Sequence, residues 1–574
     1  MGFTRRSDRP VPARRRRGSN LETLETRQLL TGGSGLNFLN STFYRPSDLP
    51  SAYSANALGP NSIAHPVGSS PALLSTLNNE GKVVSGRDRL GDLYTITVRG
   101  PGTVIVTDAT PTDGVLDDDI ATIQLVGTSL TRTTVTGTVS ASAEVSSSGT
   151  IRFNKLIAQS GVKSINLNGF ILSQTVTPPN NGAPQSNSGV YLLGGVQQLS
   201  FQGIESPIDL ASNTQPMNVV IGDPSTPLRF KPSIRIDQIT NTVFDSTSTV
   251  VPTQPQLFPT VNIIVNGETH SLQIVSATQA VVDPAMAYLF PIVGTTGRTT
   301  VQTLGIDHLV VKGSAKNFTA SRSAVPFQNG FSGLNHLGTA DFGGNADAVG
   351  LDVNGPVGGL RFARGLGSPV GVTTAATSYG TPDNEIGYPG NGLVGGLVTA
   401  GSVGHIVAAP ANTILQYSQN PALIQSGPPG TTTYYPRAGA AFSSVAIVSA
   451  GSIGKTTVVG DATNTEIKSG VSYASAVAGL QGSRSGSSIG SVKYRGDLVD
   501  SVISASYRAG AHGYGTPGSL AGNGTIRGRF IGSLYNTGNP TILTNKGAGF
   551  YAKHKSPSLQ PPETPKRTNG VLTR

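Results

Sequence analysis

The stretch Ser488-Ile489-Gly490-Ser491-Val492-Lys493-Tyr494-Arg495-Gly496-Asp497-Leu498 decides the fold. Between two glycines, apolar Val492 and Tyr494 alternate with polar Lys493 and Arg495, the period of a half-buried strand. The same form stands at Gly451-Ser452-Ile453-Gly454-Lys455-Thr456-Thr457-Val458-Val459-Gly460-Asp461 and, shortened, at Gly401-Ser402-Val403-Gly404-His405-Ile406-Val407. Simpler copies run over 161–169, 195–203 and 305–313, each opened and closed by glycine. Glycine turns the corner, and an Asp after it is placed to hydrogen-bond its own backbone in the turn. Around the second copy, Val445 to Val448, Thr457 to Val459 and Glu466 to Lys468 are three strand candidates about ten residues apart.

That spacing predicts a three-sided repeat of roughly 20–30 residues whose apolar side is buried only when neighbours stack. The expected fold is all-β: a single-stranded parallel β-solenoid with long inserted loops, a short β-rich lead-in and disordered termini. Roughly a dozen repeats at about 4.8 Å each give a rod of about 60 Å. The period is loose, because Gly404, Gly454 and Gly490 are 50 and then 36 residues apart. Tyr417 to Arg437 and Ser368 to Asn391 read as loops on one rim. An array of β-sandwiches with glycine-rich turns is the competing architecture.

Working outward, residues 151–550 carry the repeats and 81–150 form an N-terminal β region. There Leu93 to Val98 and Thr103 to Thr107 flank Pro101-Gly102, a hairpin-like signal. Residues 34–80 read as a linker, 1–33 as a basic leader and 551–574 as a disordered, proline-bearing basic tail.

Composition agrees with such a chain. Of 574 residues, 73 are Gly and 38 Pro, and only 13% are charged, about half the usual share. The net charge of +10 sits on the ends: +5 over residues 1–27 and +4 over 551–574, leaving +1 for the body. A nucleic-acid-binding domain carries its charge on a folded face, so no nucleic-acid partner is expected. Without cysteine there is no disulfide, zinc–thiolate site or thiol nucleophile. No apolar run reaches the roughly 18 residues of a membrane helix.

The leader has a further pattern. After Arg14 to Arg17 comes Leu21-Glu22-Thr23-Leu24-Glu25-Thr26-Arg27-Gln28-Leu29-Leu30-Thr31. Leu21, Glu22, Leu24, Glu25, Arg27, Leu29, Leu30 and Thr31 fill a motif that resembles the N-terminal LEPR-XLL element of large planctomycete surface and secreted proteins, with Thr where the family has Pro. The resemblance implies export or surface sorting, and surface polysaccharide or other surface proteins as partners. The glycine-rich β repeats look like those of the same family.

Little chemistry is visible. Asp108, Asp113, Asp117, Asp118 and Asp119 form the densest acidic stretch, and the last four are weak calcium candidates, since their spacing fits no calcium loop. A solvated loop accounts for them as well. Seven histidines are scattered, and His308 and His405 occupy similar places in their repeats. Gly486-Ser487-Ser488-Ile489-Gly490 precedes a strand where a nucleophile elbow needs a helix. Gly513-Tyr514-Gly515-Thr516-Pro517-Gly518 has no following helix to bind phosphate. No cofactor or catalytic residue is assigned. The expectation is a non-catalytic surface or secreted structural, adhesion-like protein. The alternative is a carbohydrate-active β-helix enzyme, which needs three or more carboxylates gathered in one groove. A carbohydrate-binding module ranks below both, for want of Trp and of a row of aromatics.

Overall fold

The computed structural model describes residues 80–88, 90–108, 119–142, 149–173, 188–209, 216–244, 257–279, 296–323, 332–367, 396–410, 440–443, 445–463, 465–471, 486–499, 501–508, 520–521, 523–535 and 548–559. Two compact units divide the chain, Met1–Asn37 and Phe38–Arg574, and every described residue lies in the second.

The strands follow from the alternation and the glycines. One repeat supplies Ile453–Val459, Asp461–Thr463 and Glu466–Ser469. Each pairs in parallel with its counterpart in the next repeat, Ile489–Arg495, Leu498–Val499 and Val502–Ala505. Each also pairs in parallel with its counterpart in the preceding one, Ser402–Ala408, Ala440–Ser443 and Val445–Ser449. Three rows of parallel strands result. The first row continues backward through Pro356–Phe362, Leu337–Phe342, Gly305–Val311, Glu268–Gln279, Ser233–Phe244 and Val196–Asp209 to Val162–Ser173. All six glycine-bounded copies fall on this row. The chain between partners varies from 20 residues (Phe342 to Phe362) to 50 (Ala408 to Val458), yet the register holds. Loop length is nearly free in such a stack, because closure entropy grows only with its logarithm.

Backbone sterics explain the inner glycine of the motif. A Cβ on Gly454 would collide with the carbonyl oxygen of Gly404, one on Gly404 with that of Gly358, and one on Gly358 with that of Gly338. The column needs residues without a side chain because adjacent backbones press together there.

First-row strands bury one face. Ile489, Val492 and Tyr494 point inward while Lys493 and Arg495 are exposed. The third row differs: Met217–Ile221, Val445–Ser449 and Glu466–Ser469 are buried at every position. Burial on both faces produces continuous rather than alternating apolar runs. Inward side chains build one core, in which Phe342 stacks on Phe362 at 5.5 Å and 12° and Phe362 meets Phe442 edge-on at 6.4 Å.

The corner after the first row is held by Asp in a way that corrects the turn expectation. Asp461 Oδ1 accepts from the Asp497 amide at 2.8 Å, and Asp497 Oδ1 accepts from the Ser533 amide at 2.8 Å. Each carboxylate thus bonds the next repeat, 36 residues on. Asp497→Ala should cost about 1–2 kcal/mol in urea unfolding, and Asp497→Asn should recover much of it, because an amide oxygen still accepts.

Two other expectations change. Leu93–Arg99 and Thr103–Asp108 are not a hairpin: the first pairs antiparallel with Val83–Arg87 and Thr134–Ser140, the second with Glu80–Gly81 and Ile120–Val126. Pro101-Gly102 is a corner between rows, with Gly102 at φ 94°. These antiparallel strands close the first end of the parallel stack, which begins at Thr134–Ser140 and Ile120–Val126. At the other end order extends past residue 551, where a disordered tail is expected. His554–Lys555 pairs in parallel with Thr525–Ile531, and the 3-10 turn Pro557–Leu559 buries Leu559 to 3% exposure. Ser556 and Ser558 hydroxyls bond the Gly528 backbone, so polar groups finish the open edge. The proposed rim loops 368–391 and 417–437 lie outside the described residues.

Candidate functional site

The densest meeting of ionisable side chains lies on the exposed side of the first row. Lys231 precedes Ser233–Phe244; Glu268 and His270 open the next strand; Asp307 and His308 lie in Gly305–Val311; His336 precedes Leu337–Phe342. Stacking superimposes four repeats, so residues over a hundred positions apart converge.

Asp307 is the centre. Its Oδ1 accepts from Lys231 Nζ at 2.8 Å and from His336 Nε2 at 2.9 Å, and its Oδ2 accepts from His270 Nδ1 at 3.1 Å. A carboxylate only accepts, so each facing imidazole nitrogen carries the proton. Lys231 also reaches Glu268 Oε2 at 3.0 Å. The His336 ring lies over Gly305, where a Cβ would press into it. His270 and His308 meet edge-to-face at 5.6 Å, and His308 Nδ1 is 3.1 Å from Thr339 Oγ1.

Burial alone would raise the Asp307 pKa. The hydrogen bonds from Lys231, His336 and His270 outweigh it and hold the carboxyl far below the usual range. Asp307 is therefore a fixed anion, not a proton donor near neutrality. A depressed folded-state pKa gives stability that is present above the unfolded value, about 3.9, and is lost as pH falls through the folded one. Asp307→Asn should lower unfolding free energy by about 1–2 kcal/mol at neutral pH, a modest figure because the network is partly exposed. The gap between variant and wild type should shrink below about pH 4, which urea titrations at pH 7 and pH 3 would read.

Chemically, an imidazole whose Nδ1–H is tied to a carboxylate presents Nε2 as an oriented base. His270 has that arrangement and its side chain is 54% exposed. Among the described residues no hydroxyl bonds to His270, and two carboxylates, not three, meet Lys231. Among the same residues no grouping suits a metal ion. Lys231 occupies the space between the carboxylates.

The shared place of His308 and His405 is real. Thr339 and Gly359 stand between them in one column of register partners, and the His405 ring lies against Gly359. Of the calcium candidates, Asp119 alone is described, half-buried just before Ile120–Val126; Asp113, Asp117 and Asp118 lie outside the described residues, as do Leu21, Glu22, Leu24, Glu25, Arg27, Leu29 and Leu30. Asp307, Glu268 and Lys231 escape sequence reasoning altogether. Ser488 of the Gly-x-Ser-x-Gly match accepts a hydrogen bond from the Thr525 amide and belongs to the stack.

Comparison with known protein families, curated proteins and solved structures finds no match. No helix among the described residues is long and apolar enough to cross a membrane.

Proposed function

We propose that the parallel rows are one single-stranded β-solenoid and that the protein is a non-catalytic structural scaffold, exported to the cell surface, with adhesion-like contacts to surface polysaccharide or surface proteins. One observation carries the reading: the first row keeps its parallel pairing from Val162–Ser173 to Thr525–Ile531, with a register shift in its first and last pairings, while the intervening chain varies more than twofold in length. A scaffold needs constant backbone stacking and tolerates variable insertions. The Asp307 cluster fits this role as a tie across four repeats. The surface location draws on the resemblance at Leu21 to Thr31 behind Arg14 to Arg17. Labelling intact cells of the source organism with a membrane-impermeant amine reagent tests it. Modification of exposed lysines such as Lys455 and Lys493 before lysis is the expected result; modification only after lysis would sink the surface reading.

A second reading, a carbohydrate-active enzyme, draws on the oriented His270 beside Asp307, Glu268 and Lys231. Cleavage of an acidic polysaccharide that His270→Ala abolishes without changing the melting temperature would carry it instead.

A further inference from the structure

Near its end the first row loses its acids and gathers its cations. Over the earlier repeats several exposed cations face acids: Arg235 meets Asp237, Arg361 meets Asp341, Lys231 meets Glu268 and Asp307, and Arg152 of a neighbouring row meets Glu205, while Lys163 and Lys312 stand singly. The last three long strands, Ile453–Val459, Ile489–Arg495 and Thr525–Ile531, contain no acidic residue. They expose Lys455, Lys493, Arg495, Arg527 and Arg529. None of these five forms an ion pair or side-chain hydrogen bond with the described residues. The nearby acids are engaged elsewhere: Asp461 and Asp497 hold backbone amides at the corner, and Glu466 is buried against Lys468.

Register makes these cations an array. Lys493 and Arg529 are direct partners on adjacent strands, about 4.8 Å apart, and Arg495 lies two residues beyond Lys493, about 7 Å along the strand. Arg527 and Arg529 repeat that spacing on the next strand. The positions between them are small: Ser491, Thr457, Gly490 and Gly528. The surface is positive and supplied with hydroxyls. These three strands themselves offer no base-stacking platform, since their aromatic residues, Tyr494 and Phe530, are buried in the core at 2% and 5% exposure.

We propose that this face binds an extended acidic polysaccharide, whose regularly spaced carboxylate or sulfate groups pair with the columns of Lys and Arg. The net charge of the body conceals such a site, because paired acids elsewhere cancel it. The inference rests on the stacked rows of the scaffold reading and not on export.

The experiment uses the full-length chain against immobilised polygalacturonate, with neutral dextran and single-stranded DNA as comparators. Binding to polygalacturonate should weaken as salt rises, and dextran should not bind. The variant Lys493→Gln/Arg495→Gln/Arg527→Gln/Arg529→Gln should bind about tenfold more weakly or worse, with an unchanged melting temperature. Should that variant fail to fold, the pairs Lys493→Gln/Arg495→Gln and Arg527→Gln/Arg529→Gln are read separately, and each should lose part of the affinity. Lys163→Gln, at the far end of the same row, should leave binding intact. Unchanged binding by the folded variants would assign the affinity to the basic termini and overturn the proposal. Equal binding of DNA, lost through the same substitutions, would overturn the polysaccharide assignment. Retained binding by a protein that labelling finds inside the cell would sink the surface reading alone.

Discussion

Gly454→Val should cost more than about 4 kcal/mol, measured as urea unfolding or as loss of soluble protein. Strand propensity predicts the opposite sign, since Val is favoured over Gly in strands by up to about 1 kcal/mol. Sterics decide because a Cβ at this position meets the Gly404 carbonyl oxygen, which is backbone and has no rotamer to yield. The neighbours on either side, Ile453 and Lys455, are held in register with Ile489 and Ser491, so the strand has no room to slide. Relief would mean separating two repeats and breaking hydrogen bonds along the first row. Gly486→Ala is the matched control: its added carbon would find nothing nearer than 3.6 Å, and it should stay within about 0.5 kcal/mol of wild type. A neutral Gly454→Val would mean that the glycine column is not a backbone contact and that the register is wrong.

The same column shows what a single sequence can disclose. The strand-and-glycine motif is legible because each repeat solves the same local problem: alternate burial, a close backbone contact and a corner. Hence the six copies land on one row and strands do form at 445–449, 453–459 and 466–469, but the first and last of these are partners on the third row of successive repeats, and the second-row strand Asp461–Thr463 escapes the sequence pattern. What pairs with what is not legible locally. Pro101-Gly102 has the composition of a hairpin turn, yet its flanking strands find other partners across the rows. Asp461 looks like a turn residue, and its oxygen reaches an amide 36 residues away. The Asp307 cluster was hidden for the same reason, its members arriving from four repeats separated by variable loops. One signal was present: His308 and His405 at equivalent motif positions, which the structure turns into a single column. The basic face was concealed by averaging. Lys493, Arg495, Arg527 and Arg529 stand at alternate positions of two strands, but only the register makes them neighbours.

Lys468→Met should cost about 3–5 kcal/mol, and the double substitution Glu466→Leu/Lys468→Met should restore wild-type stability or exceed it. Both residues lie on the third row, whose strands are buried on both sides. Ile467, between them, faces the core in register with Ile447 and Ile503, so Glu466 and Lys468 point the other way. Their side chains are nevertheless only 3% and 2% exposed, with Lys468 Nζ 2.5 Å from Glu466 Oε2. Neither carboxylate oxygen has hydrogen-bond geometry to a donor, so the ion pair is the main compensation for the charge on Glu466. Removing the cation strands a buried carboxylate without its counter-charge; removing both charges removes the desolvation penalty with them. The adjacent strands place Ala446, Val448 and Val502 at three of the four corresponding positions and Ser504 at the fourth, so this side of the row accommodates apolar groups. A double-mutant cycle in urea separates the outcomes. Strong coupling, with each single variant much worse than the double, is expected. Additive losses would mean that the two charges are stabilised separately and that the 2.5 Å contact contributes little.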